Sequence, residues 1–289
     1  MSGNITLERI TTNIGAVVNG VDVRNPLSDE VVELLRQAIL DHGVIFFREQ
    51  DIDMDQYWRF MEYFGQPWKE ESTGTDEDTA ADVQTGDLVA TRFATATWHA
   101  DTTSLAAPPI ATGLRAAHVP EFGGDTCWAS TTAAWDDLDE PMKRMLDGLT
   151  AIHSFQDTID RMGQYASAFY EGYSQRNAME QVHPVVITHP ESGRKSLYVS
   201  ECFTTRIVEL DKVASKMVLT YLFQHMARPH YTMRWKWTEG DMCIWDNRAT
   251  HHFAVPDYET SRQMQRIVIK GVKPGEYSEL KPVRKAKAA

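Results

Sequence analysis

Cysteine is scarce in this chain: Cys127, Cys202 and Cys243 are the three in 289 residues. An odd number with no paired metal spacing excludes a disulfide framework or a zinc knuckle, and it reads as reduced thiols in a cytoplasmic protein. Positive charge is also in short supply. Lys and Arg number 29 against 41 Asp and Glu, a formal net charge of −12. With no basic stripe, this argues against nucleic acid and against an anionic membrane surface, and leaves small molecules as the partners. No apolar run reaches the length of a membrane span, and Met1-Ser2-Gly3-Asn4-Ile5-Thr6 lacks a charged region followed by an apolar one. A soluble chain without a standard secretion signal is the expectation. Internal repeats and low-complexity tracts are missing as well.

What is present suffices for a large core. Hydrophobic residues make up 42% of the chain, and barrels and sandwiches of this length commonly form one unit, so residues 1–289 are expected to be a single domain. The clearest helical stripe is Val31, Val32, Leu34, Leu35, Ala38 and Ile39, with Ser28 or Asp29 to cap it and Gly43 to end it. Asp53-Met54-Asp55-Gln56 reads as a capping box for a helix to Phe64-Gly65. Further helices are expected after Asp139-Glu140-Pro141 and over 211–227. Strands are expected at 44–47, 111–116, 182–188, 196–199, 231–237, 242–245 and 267–272. Many short strands with few helices point to an α+β chain built on a jelly-roll core. Residues 65–97 are polar and without period, which reads as a lid loop over a site. Residues 276–289 read as a basic, solvated tail.

The chemistry is concentrated in His99-Ala100-Asp101, followed much later by His251-His252 and by Arg262 and Arg266. Two histidines and one carboxylate on one face leave half an octahedron open, which suits Fe(II) that must take a bidentate co-substrate and dioxygen. His-x-Asp suits such a face because residues two apart on an extended strand point the same way. The two arginines are four apart, so on a strand both would face inward. A forked, permanently charged donor inside a barrel is what one end of a dicarboxylate requires.

The blocks around these residues carry a more specific signal. Trp98-His99-Ala100-Asp101-Thr102-Thr103 is followed by Pro108-Pro109, Gly123-Gly124-Asp125-Thr126, His189-Pro190-Glu191-Ser192-Gly193-Arg194-Lys195, Phe203-Thr204-Thr205-Arg206-Ile207 and Trp245-Asp246-Asn247-Arg248. In this order and spacing the sequence, from about residue 5 to about residue 275, resembles the TauD/TfdA family of Fe(II)/2-oxoglutarate-dependent dioxygenases. The resemblance implies a double-stranded β-helix (jelly-roll) core with flanking helices. Fe(II) would be held by His99, Asp101 and His252, because the family places the second histidine three residues beyond Trp-Asp-Asn-Arg. His251 is then the neighbour facing the other way, a satisfied or exposed histidine. Thr126 and Arg262 match the residues that hold 2-oxoglutarate, and Arg266 matches the one that reaches the anionic group of the substrate. The interval from His252 to the arginines is one residue shorter than in taurine dioxygenase, which leaves these two roles exchangeable. A homo-oligomer, dimer or tetramer, is also implied.

Substrate identity is where the resemblance departs. The lid reads Pro67-Trp68-Lys69-Glu70-Glu71-Ser72, without the histidine and tyrosine that help hold a sulfonate, and Thr95 stands where the family's taurine enzyme has asparagine. Glu70 would repel a sulfonate, so taurine is disfavoured. Phe203 matches an aromatic residue of the substrate pocket. The expected reaction is oxidation, by hydroxylation, of an unactivated C–H bond of a small polar or anionic substrate, with dioxygen converting 2-oxoglutarate to succinate and carbon dioxide. Retention of Asp101 favours hydroxylation over halogenation. Alternatives are a taurine- or alkylsulfate-type desulfonating enzyme, a desaturase or cyclising oxygenase, a zinc hydrolase or lyase, and an inactive jelly-roll binding protein.

Overall fold

Val44-Ile45-Phe46-Phe47 is apolar at every position because the strand it forms is covered on both faces. In the computed structural model, which describes residues 5–68, 82–85, 96–154 and 180–274, all four side chains are buried. The strand belongs to an eight-stranded sheet. Its members are β1 (Thr6–Arg9), β2 (Ala16–Asn19), β3 (Val44–Phe47), β4 (Pro67–Trp68), β5 (Asp82–Thr85), β6 (Ala111–His118), β14 (Met242–Asp246) and β16 (Gln263–Ile269). They run in the order β1-β2-β3-β14-β6-β16-β4, with β5 also paired to β16.

A second sheet, in the order β13 (Thr232–Trp235), β7 (Thr126–Ser130), β15 (Thr250–Ala254), faces the first. Strand alternation explains how one sheet serves two cores. Val44, Phe46, Cys243 and Trp245 join Trp128 and Trp235 of the second sheet in a buried cluster between the layers. There the Phe46 and Trp235 rings stack with centroids 4.0 Å apart. Ile45, Phe47 and Ile244 point the other way, against Leu35, Ala38, Tyr57, Phe60 and Met61 of the helices that cover the outer face. This double-layered arrangement with few helices is the jelly roll, and the covering helices are α1 (Asp29–His42) and α2 (Met54–Glu62).

Smaller elements complete the frame. Helices α3 (Thr131–Asp136), α4 (Glu140–Leu146) and α5 (Lys212–Met226) share a third cluster with the sheet β12 (Thr204–Ile207), β8 (Thr150–His153), β9 (Gln181–Pro184) and the hairpin β10 (Val186–Thr188), β11 (Lys195–Leu197). The caps fall where the residue types place them. Ser28 accepts from the Val31 amide, Asp53 and Gln56 bond reciprocally at 2.8 and 2.9 Å, and Asp211 accepts from Val213 and Ala214.

Several expected boundaries move. The run 182–188 splits between two sheets, because Pro184 has no amide to continue a ladder and the Val185 amide bonds Leu149 instead. The last strand begins at Gln263 and stops at Ile269, not at 272, so it starts directly after Arg262 and carries Arg266 in its body. Strands β1, β2, β7, β8 and β12 and helix α3 lack a strong period and were not expected. Most of the expected lid at 65–97, including Glu70 and Thr95, and the tail at 276–289 lie outside the described residues.

Candidate metal centre

His99 reaches the site through backbone pairing. It forms an isolated antiparallel bridge with His252 of β15, in which the His99 amide donates to the His252 carbonyl at 3.1 Å and the His252 amide donates back at 2.7 Å. Two residues paired this way sit directly opposite one another, and their imidazoles lie 4.1 Å apart between centroids. The segment carrying His99 is a single bridge, not a strand. Asp101 already begins a turn whose next residue, Thr102, has φ 40°, so the two-residue spacing works locally even though regular structure stops there.

One nitrogen or oxygen each from His99, Asp101 and His252 lies within 4.8 Å of the others, and these are the only three or more His, Cys, Asp or Glu so grouped among the described residues. Their protonation is arranged by their surroundings. His99 Nδ1 is 2.7 Å from the Thr97 carbonyl, which only accepts, so Nδ1 holds the proton and Nε2 keeps its lone pair. Burial pushes the His99 imidazole below its ordinary range against the opposing pull of Asp101. Burial, followed by the neighbouring His99, pushes His252 well below it. Burial by itself would raise the Asp101 carboxyl, but Arg266, the two histidines and the Thr112 hydroxyl outweigh it and hold the group ionised far below the usual carboxylate range. Two neutral imidazoles and one carboxylate are the forms that bind a divalent metal.

The two arginines separate. Arg262 Nη2 donates to Thr126 Oγ1 at 3.3 Å, and Trp237 Nε1 donates to the same oxygen at 3.0 Å. Two donors fill the lone pairs of Thr126, so its own proton is left to be donated onward, and no acceptor for it stands among the described residues. Arg262 Nε is buried with no partner, and burial lowers the guanidinium from its ordinary value. A half-buried cation whose one hydrogen bond among the described residues is to a hydroxyl, next to a donor hydroxyl, fits an anion of the carboxylate type. The Gly-Gly-Asp-Thr turn makes this approach possible. Gly124 has φ 71°, and a Cβ there would lie 3.1 Å from Arg262 Cδ. Arg266 is placed elsewhere: its Nη2 donates to Asp101 Oδ1 at 2.9 Å. Phe203 is buried and meets His99 edge-on, with centroids 6.3 Å apart.

His251 departs from expectation. It is 3% exposed, its Nδ1 has no hydrogen-bond partner, and burial lowers its imidazole to about 3. It is therefore buried and neutral, neither exposed nor fully satisfied, because the face of β15 opposite His252 is itself covered.

The residues of the Trp-Asp-Asn-Arg and His-Pro-Glu blocks form one hydrogen-bonded network. Asp246 accepts from Arg248 Nε and Nη2 at 2.9 and 2.6 Å and from His189 Nε2 at 2.9 Å, and Arg248 also reaches Glu191 at 3.0 Å. This network joins Trp-Asp-Asn-Arg to His-Pro-Glu and fixes the turn between β14 and β15 that delivers His252. His183 Nε2 bonds the Thr103 and Leu105 carbonyls, and His153 Nδ1 meets Thr103 Oγ1 at 2.9 Å. These two histidines brace the turn after Asp101. A cavity of about 450 Å³ lined by Arg36, Phe64, Glu191, Arg248 and Lys270 contains none of the metal-centre residues.

The sequence matches the family model "Taurine catabolism dioxygenase TauD, TfdA family" over residues 6–268. It is 36% identical to an alkylsulfatase of Acinetobacter baylyi over 279 residues, 92% of this chain and 85% of that protein. It is 34% identical to an alpha-ketoglutarate-dependent sulfate ester dioxygenase of Pseudomonas putida, over 92% of this chain and 89% of that protein. The crystal structure of a taurine dioxygenase from Burkholderia xenovorans superimposes with a TM-score of 0.79 at 32% identity, covering 94% of this chain and 91% of that one.

The buried network makes a testable demand. Burial opposes ionisation of Asp246, but Arg248 and His189 hold its carboxyl far below the usual range. Its contribution to stability is therefore complete above the unfolded value of about 4 and is lost as pH falls through the folded value. Asp246→Asn should lower the unfolding free energy at neutral pH by about 3–5 kcal/mol, since it strands a buried guanidinium. In urea titrations the difference from wild type should shrink below about pH 4. A neutral-pH difference under about 1 kcal/mol would show that the network carries no such weight.

Proposed function

The chain belongs to the TauD/TfdA family and is an Fe(II)/2-oxoglutarate-dependent dioxygenase, and from that premise we propose that its substrate is an alkyl sulfate ester, with His99, Asp101 and His252 as the metal ligands. The convergence of those three side chains is the observation that carries the site reading. Their protonation states support it, and so does the donor set of Arg262 and Thr126. The substrate reading is supported by the two relatives at 36% and 34% identity, whose names specify sulfate esters.

Iron(II) and 2-oxoglutarate, when bound, supply the oxidising chemistry: as dioxygen is consumed, one oxygen atom leaves in succinate with release of carbon dioxide and the other goes to a substrate carbon. The protein's own residues bind and orient. His99, fixed in one tautomer by Thr97, presents Nε2. Arg262 and Thr126, with Trp237 behind them, hold the distal carboxylate of 2-oxoglutarate. Arg266 places a cation beside the cluster for the sulfate group, and Phe203 gives an apolar wall for the alkyl part. Thr95 stays as a proposed pocket residue from the sequence, whereas Glu70 would repel a sulfate ester as it would a sulfonate and is proposed only away from the sulfate group. Hydroxylation of the carbon that bears the sulfate ester gives a hemiacetal sulfate. This breaks at the carbon–oxygen bond to the sulfate, releasing sulfate, a proton and an aldehyde. Dioxygen is reduced, while 2-oxoglutarate and the carbon are oxidised.

Among the described residues no helix is long and apolar enough to cross a membrane, and Cys127, Cys202 and Cys243 are all free. From the family resemblance we propose a cytoplasmic location and a homo-oligomer acting on small molecules.

Arg262→Ala should raise the apparent constant for 2-oxoglutarate while leaving metal affinity near wild type, because losing one partner of a buried charge pair costs about 2–5 kcal/mol. Unchanged 2-oxoglutarate dependence in initial-rate assays would exclude Arg262 as the clamp.

A panel of a linear alkyl sulfate, taurine and an aryloxyalkanoate tests the substrate. The alkyl sulfate should give sulfate and succinate in equal amounts, and taurine should give little sulfite. Tight coupling with taurine, and only uncoupled 2-oxoglutarate consumption with the alkyl sulfate, would contradict the proposal.

A further inference from the structure

The Asp101 carboxylate is held by a chain of hydrogen bonds whose direction is fixed at its far end. Trp245 Nε1 lies 3.0 Å from Asn247 Oδ1, and the Asp101 amide lies 3.2 Å from the same atom. Both groups are donors only, so the Asn247 amide must turn its oxygen toward them and its nitrogen away. Asn247 Nδ2 then donates to Thr112 Oγ1 at 2.9 Å. With its lone pair engaged, Thr112 directs its hydroxyl proton to Asp101 Oδ2, 2.6 Å away. Thr112, Trp245 and Asn247 are 0%, 1% and 2% exposed, so water does not compete for any link.

The consequence is asymmetry between the carboxylate oxygens. Oδ2 accepts from Thr112, whereas Oδ1 accepts from Arg266 Nη2 at 2.9 Å and is the oxygen turned to the histidines, 3.7 Å from His252 Nε2. The threonine sits on β6 and the asparagine just beyond β14. Those strands are paired, Trp245 lying opposite Thr112 in the ladder. The relay therefore ties the ligand to two central strands of the large sheet, which the turn at Thr102 alone does not do.

We propose that Thr112, oriented by Asn247 and Trp245, is a positioning residue that fixes the rotation of the Asp101 carboxylate so that Oδ1, the oxygen on the histidine side, is the one turned to the metal. This deepens, and rests on, the assignment of His99, Asp101 and His252 as ligands. The residue acts through Asp101, not on the substrate, and it is distinct from the ligands and from the 2-oxoglutarate clamp.

The test is Mn(II) binding to the full chain, with free Mn(II) measured by electron paramagnetic resonance, on wild type, Asp101→Ala, Thr112→Val and Thr112→Ser. Valine keeps the shape and the strand preference of threonine but removes the hydroxyl. It should weaken Mn(II) binding about ten- to hundredfold, the usual effect of losing a hydrogen bond to a metal ligand. Serine restores the donor and should bind within about threefold of wild type, and the bound-Mn(II) spectrum should change in the valine variant alone. Melting of each metal-free variant supplies the control for folding, and serine must rescue affinity if the hydroxyl is the cause. Wild-type affinity and spectrum in Thr112→Val, with binding lost in Asp101→Ala, would overturn the positioning role and leave the ligand assignment standing. Equal binding in wild type and Asp101→Ala would overturn both.

Discussion

Two backbone hydrogen bonds between His99 and His252 bring the metal centre together. His99 lies on a segment with too little regular structure to place itself, and the pairing moors it to the free edge of β15. Everything near it follows from that constraint. Asp101 must lie in the turn that comes next, so its placement depends on groups from other elements: Thr112 and Asn247 on one side, and His153 and His183 bracing Thr103 and Leu105 on the other. β15 in turn has to arrive in register, and the Asp246 and Arg248 pair locks the turn that leads into it.

The same architecture sets the electrostatics. A buried carboxylate stays ionised only when opposite charge and hydrogen bonds outweigh its desolvation. At Asp101 this is achieved with Arg266 and Thr112, and at Asp246 with Arg248 and His189. Arg262 is the contrasting case. It is a half-buried cation whose hydrogen bond goes to a hydroxyl, Thr126 Oγ1, while the pull of the Asp125 carboxylate does not outweigh its burial.

Much of this was legible from residue types. The stripe of α1, the Asp53 and Gln56 box and the two-sided apolar run of β3 are set by local periodicity and capping, and each is found where those rules put it. The strand parity expected for both arginines holds for Arg266, which shares it with Met264 in the cluster between the sheets, but Arg262 stands just before the strand, beyond a shift of register. Short strands such as β8 and β12 were not legible, because four residues with mixed polarity have no period of their own and are held by tertiary pairing. Thr112 and Asn247 were hidden for a related reason. A buried threonine in an apolar strand looks like an ordinary β-former, and only the cross-strand register brings it to Asp101. His251 was misread because a strand with one functional face need not have a wet face opposite.

The most direct test of the metal-centre assignment is the Mn(II) stoichiometry of His252→Ala compared with His251→Ala, since the two neighbours share β15 and differ in the face they occupy. The account predicts about one Mn(II) per chain in His251→Ala, as in wild type, and a loss of stoichiometric binding in His252→Ala. Retained metal in His252→Ala together with its loss in His251→Ala would contradict it.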